Sequence, residues 1–277
     1  MEKLEYQPNI PQAILLLLLY FFVFSMVPML FFASLSKALG LKANDLMVNS
    51  GITVIGFILL LFWVHRRYRV DYQGLLALKQ LKIEYILPMI LMISGAVIVL
   101  SEIDNMVRTF LPLKGDWAKT FQNLFIPDRA GSWKYILAVV IVAPVVEEMI
   151  FRGLILKGFI KHYPAHRAIA FSALLFGVAH FNPWQFWTGI LWGGIAGWWF
   201  HGTRSLVPCI LGHALLNSSS YIVTNILGVE VPGFTTDFQT SQFQPLWFDL
   251  LGIGLLVLGI IVFVKIFKYN KIKLAAD

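Results

Sequence analysis

Charge is scarce in this 277-residue chain: Asp, Glu, Lys and Arg make up 13% of it, against about 25% in soluble domains. Cysteine is scarcer still. Cys209 stands alone, so an intrachain disulfide is excluded and no cysteine-based metal spacing can be formed. Its expected role is that of a small apolar packing residue. The run H-E-x-x-H does not occur, so the helix signature of the common zinc proteases is missing. Repeats, low-complexity tracts and a separate soluble domain are also missing, and the sequence predicts one integral-membrane domain over 1–277 with its motifs within 135–223.

What abounds is apolar. Hydrophobic residues make up 58% of the chain and the mean hydropathy is +0.74, where globular domains run about 45–50% apolar. The fold class that follows is an all-α polytopic membrane bundle. About 20 apolar residues suffice to cross about 30 Å of hydrocarbon as a helix. On that measure the sequence predicts eight spans, at 13–35, 48–64, 85–100, 135–156, 168–181, 184–200, 206–223 and 247–267, of which the third and fifth are short. The first run is too long for the apolar region of a signal peptide and lacks a small-residue cleavage site, so it reads as a retained span.

A formal net charge of +7 would suggest nucleic acid in a soluble protein. Here Lys and Arg cluster between spans, where they set orientation, so the expected partners are membrane lipids and not nucleic acid. With the N-terminus in the cytoplasm, fourteen Lys and Arg fall inside and seven outside, and the connections 182–183 and 224–246 hold none. Both termini are therefore expected in the cytoplasm of a cell-membrane protein. Five of the seven outside charges lie in the connection 101–134. There Asp116 can cap an interfacial helix with Trp117, Phe121, Leu124 and Phe125 on one face. An ordered polar loop is the alternative.

Three groups of polar residues interrupt the spans, at a cost of about 2.5–3.5 kcal/mol for each acidic residue at a helix centre. The first is Val145 to Gly153, "VVEEMIFRG". Adjacent helical positions point about 100° apart, so Glu147 and Glu148 face different surroundings. Glu148 and Arg152, at i and i+4 with the acid N-terminal, suit an ion pair, which leaves Glu147 available. Phe176 and His180 repeat the i,i+4 spacing on the fifth span, and His213 and Asn217 repeat it on the seventh. A carboxylate, two imidazoles and a carboxamide can together deprotonate water and face an oxyanion. Each group alone also has a plainer reading: interhelical hydrogen bonding for the histidines and Asn217, a buried structural network or a proton relay for the acids. From the cytoplasmic span ends, Glu147 and His213 lie about 12–14 Å deep but His180 about 20 Å.

Taken together, E-E-x-x-x-R, F-x-x-x-H and H-x-x-x-N, in this order on separate spans, resemble the CPBP family of CAAX proteases and bacteriocin-processing enzymes, also called Abi proteins. The resemblance implies an eight-span intramembrane endopeptidase acting on a peptide or membrane-protein substrate, lipidated in the best-known members, and it implies a bacterial inner membrane as the setting. It implies Glu147 as the base that activates water, with His180 assisting. His213 and Asn217 would bind the substrate carbonyl or oxyanion, and Glu148 with Arg152 would hold the geometry. Members have also been described as metal-dependent. Glu147, His180 and His213 would then be the ligands of a zinc ion, but the metal-free glutamate mechanism is the reading preferred here. The rivals are a non-catalytic bacteriocin-immunity or scaffold protein and, more remotely, a proton-coupled transporter, for which the related halves are lacking.

Gly193, Gly194 and Gly197 are expected to let helices approach closely. Trp184, Trp187, Trp192, Trp198 and Trp199 are expected to anchor at the interface or pack the bundle. Pro144 is expected to loosen the backbone beside the acidic pair.

Overall fold

The computed structural model describes residues 7–38, 46–68, 77–115, 118–119, 132–235 and 241–276. Among these, every regular element is helical, which bears out the all-α class. Eight long helices carry the fold: α1 (Ile10–Ala38), α2 (Leu46–Tyr68), α3 (Ile83–Phe110), α4 (132–162), α5 (Ala165–Val178), α6 (Pro183–Thr203), α7 (207–226) and α8 (Leu246–Ala276). The interfacial helix expected around Asp116, Trp117, Phe121, Leu124 and Phe125 lies outside the described residues.

Local chemistry sets the ends. Asn9 caps α1 in a reciprocal box with Gln12, and Asn182 caps α6 by accepting from the Gln185 amide, with Pro183 in the first turn. Both place a polar acceptor over amides that have no helical partner. Four helices, α1, α2, α3 and the segment Leu246–Lys268 of α8, are long and apolar enough to cross a membrane, and the chain is a membrane protein. The large exposed side chains on them, such as Phe31, Ile58, Leu87 and Leu250, form their outward faces.

The predicted fifth span needs correction. Its helix occupies Ala165–Val178, not 168–181, and its 14 residues cover only about 21 Å at 1.5 Å each. Asn182 and Pro183 begin a new helix, and the chain turns between the two with Phe181 at φ 52°. His180 therefore sits in a turn and not on a helix face.

Lipid is as apolar as leucine, so helices associate in it through close packing and buried polar contacts. Both are present. A Cβ on Gly193 would come within 2.7 Å of the Ala173 Cα, and one on Gly197 within 3.1 Å of Ile169, so these two glycines bring α6 against α5. Gly194 faces open space and does not serve that purpose. Gly95 likewise lets α3 lie on the α8 backbone at Gly252 and Leu256. Cys209 is buried among these helices with its thiol toward the Ala196 carbonyl, a packing residue as expected.

α4 alternates between α-helical and π-helical turns, with π segments at Ile136–Val142 and Met149–Leu156 on either side of the acidic pair. In the first, the Ala143 amide donates to the Ala138 carbonyl, five residues back. At the same register the next donor would be residue 144, bonding the Val139 carbonyl, but Pro144 has no N–H. The Val139 carbonyl, on a part-buried residue, is left without a backbone donor. A side chain from α7 donates to it instead.

Candidate active site

That side chain is Asn217, whose Nδ2 donates to the Val139 carbonyl at 2.9 Å. A carboxamide nitrogen carries two hydrogens, so one remains after this bond. The backbone is held in turn, because the Tyr135 hydroxyl donates to the Asn217 carbonyl. Pro144 thus does more than loosen α4. Its missing N–H creates the acceptor that fixes Asn217.

Glu148 is fully buried and Arg152 is 1% exposed, with Nη1 3.0 Å from the Glu148 carboxylate. The pair is the one expected from the i,i+4 spacing. Glu148 also has partners that the spacing did not indicate. Its Oε1 accepts from Trp192 Nε1 at 3.0 Å and lies 2.8 Å from His213 Nδ1. Arg152 and Trp192 carry only donors, so Oε1 is the acceptor for all three groups and His213 Nδ1 holds the hydrogen. In the neutral ring, Nε2 then has a lone pair and no hydrogen.

His180 is arranged in the same sense. Its Nδ1 lies 2.8 Å from the Phe176 carbonyl, which can only accept, so Nε2 is again the bare nitrogen. Phe176 binds the group together: its ring meets His180 edge-on at 5.0 Å and His213 at 5.8 Å, while the Arg152 guanidinium lies over it at 4.7 Å. A cation on an aromatic face is stabilised by the ring quadrupole, which supplies a second neutralising contact for a buried charge. Gly189 leaves room for this, since a Cβ there would come within 3.3 Å of His180 Nδ1.

A cavity of about 230 Å³ adjoins these side chains, and His180, His213, Asn217, Trp192, Asp104 and Arg108 are among the residues that line it. Glu147 is not in its lining. Its side chain is 32% exposed, with Oε2 3.9 Å from His213 Nε2. The cavity thus brings together three of the four residues expected around one site, and the fourth reaches it through His213. Trp192 and Gly189 are the participants that sequence reasoning missed. Trp192 is one of five tryptophans in 184–199, and only its partner across the bundle distinguishes it.

The zinc arrangement can be tested against these positions. Among the described residues, no group of three or more His, Cys, Asp or Glu is placed to hold a metal ion. The bonds at Nδ1 leave Nε2 bare in both histidines, a state that a metal ligand also adopts, so the rings themselves do not decide the point and only the placement of the three groups does. The residues as placed do not form the Glu147–His180–His213 ligand set.

Residues 129–219 match the sequence model of a family described as type II CAAX prenyl endopeptidase Rce1-like. No curated protein and no solved structure matches the chain. The matched segment contains Glu147, Glu148, Arg152, His180, His213 and Asn217, and the family implies a protease. Over that segment, this chain is similar to the type II CAAX prenyl endopeptidases.

Proposed function

We propose that this protein is an intramembrane peptide-bond hydrolase of the CAAX type in which Glu147 takes a proton from water and no metal takes part. The observation that carries the reading is the 3.9 Å approach of Glu147 Oε2 to His213 Nε2. With the ring neutral, both atoms are acceptors and cannot bond to one another. A water molecule, with a hydrogen for each, can bridge two such acceptors from one side at this separation.

As the water oxygen bonds the scissile carbonyl carbon, one of its protons passes to Glu147. The carbonyl oxygen gains the negative charge, and the second amide hydrogen of Asn217 is the donor for it. The proton on Glu147 then goes to the amide nitrogen as the C–N bond breaks. His213 orients the water by accepting its other hydrogen, a different role from the oxyanion donor that the resemblance implies, because its Nε2 has no hydrogen to give. His180 assists with a second bare ring nitrogen beside the cavity. Glu148 and Arg152 hold His213 in place. The substrate in this reading is a C-terminal segment bearing a prenyl group, the class named by the matched family, held at a bilayer that receives its lipid. The chain acts as one membrane domain with both termini in the cytoplasm.

The test is cleavage by purified protein in lipid, with a panel of fluorogenic peptides, prenylated and not. A general base contributes about 10²–10⁴-fold, so Glu147→Gln should bring cleavage to background without loss of folding. Cleavage by Glu147→Gln at the wild-type rate would remove Glu147 from the mechanism. Cleavage lost to a chelator and restored by zinc would replace the metal-free reading.

A further inference from the structure

The Nδ1–H···Oε1 bond is what turns His213 Nε2 toward Glu147, and the proposed reading rests on that orientation. It is secured from three helices. Glu148 Oε1 lies within hydrogen-bond distance of Arg152 Nη1 on α4, Trp192 Nε1 on α6 and His213 Nδ1 on α7. Arg152 Nη1 lies 3.0 Å from both Glu148 oxygens, so the ion pair by itself leaves the carboxylate free to rotate and exchange the two. The indole N–H opposes that rotation by holding Oε1 on the α6–α7 side. Trp192 also limits the imidazole directly, its ring lying 5.4 Å from that of His213. Room for it comes from Gly212, one residue before His213, where a Cβ would come within 2.8 Å of the Trp192 ring.

We infer that Trp192 is a positioning residue for this site: by donating its indole hydrogen to Glu148 Oε1, it fixes the tautomer of His213 that leaves Nε2 bare and facing Glu147. The inference rests on the peptidase reading for its effect on turnover, but not for its effect on the ring.

The molecule supplies its own control. Trp199 is one turn pair along α6, fully buried, and packed on Trp192 at 5.7 Å. Its Nε1 has no hydrogen-bond partner among the described residues. Trp192→Phe and Trp199→Phe therefore make the same loss of volume at neighbouring places, and only the first removes a donor from Glu148.

Two measurements separate the outcomes. The first is ¹⁵N spectroscopy of histidine-labelled protein in lipid, with His213 assigned by its loss in His213→Gln. The wild type should show a protonated Nδ1 and a bare Nε2, Trp199→Phe should show the same, and Trp192→Phe should show a mixture of both tautomers. A protonated Nε2 in the neutral wild-type ring, or an unchanged Nδ1–H in Trp192→Phe, would overturn the inference. The second is steady-state cleavage. Trp192→Phe should lower kcat about tenfold to hundredfold, the size of one hydrogen bond to a charged group, with KM unchanged, while Trp199→Phe keeps the wild-type kcat. Equal losses in both variants would make the indole a packing group and would likewise overturn the inference. The ring measurement needs no substrate, so a wild type that cleaves nothing counts against the peptidase reading and leaves the Trp192 assignment to the spectra.

Discussion

Replacing Glu148 by Gln keeps the shape of the side chain and removes its charge. Arg152 would then be a 1% exposed cation with its Nε and Nη2 already lacking hydrogen-bond partners among the described residues. Its remaining compensation would be the Phe176 ring at 4.7 Å, worth up to about 2 kcal/mol when desolvated. Breaking a buried pair by removing one partner costs about 3–5 kcal/mol, and most of that is the charge left behind. Glu148→Gln should therefore destabilise the protein by about 3–5 kcal/mol. The double variant Glu148→Gln, Arg152→Met removes both charges and leaves an apolar chain of similar length on Phe176, so it should recover most of the loss. It should not recover cleavage, because a carboxamide presents an N–H as readily as an oxygen to His213 and Trp192. Reversible unfolding in mixed micelles, followed by near-UV circular dichroism, measures all three proteins on one scale. A single variant within 1 kcal/mol of wild type, or a double variant no more stable than the single, would refute the view that the Glu148 charge is held there to balance Arg152.

Asn217→Ala removes a donor and also strands the Val139 carbonyl. It should lower turnover about 10²–10³-fold, as loss of an oxyanion donor does, and cost about 0.5–1.5 kcal/mol for the hydrogen bond lost at a part-buried acceptor. Full turnover in that variant would remove the carboxamide from the reaction. Cysteine placed after Lys273, in a chain with Cys209 changed to Ala, should react with impermeant reagents only after the membrane is opened. Labelling of intact cells would reverse the proposed orientation.

Much of this protein was legible in its sequence. The apolar runs point to the all-α membrane class, because a helix satisfies its own backbone in lipid and the longest runs, in α1, α2, α3 and α8, have the length to cross it. The Glu148–Arg152 pair was equally local, since four residues of helix bring the two side chains together with no help from the rest of the chain. The end of α5 was also within reach: Asn182 followed by Pro183 is a helix start, and the expected span ran through 181 only because an apolar run was followed past it. Phe176 and His180 kept their i,i+4 spacing in number, yet the second of them lies in a turn.

What the tertiary structure decided is which partners these groups have. Nothing at 145–153 shows that Glu148 also meets Trp192, 44 residues on, and His213, 65 residues on, or that Glu147 comes within 3.9 Å of that imidazole. Nor does the pattern H-x-x-x-N show that Asn217 spends one amide hydrogen on Val139, 78 residues away, where Pro144 has left a carbonyl without its donor. Spacing along a helix fixes the direction of a side chain relative to its neighbours on that helix. The rotation of one helix against another, set here by close contacts at Gly189, Gly193 and Gly212, decides what each side chain faces, and with it which imidazole nitrogen carries the hydrogen.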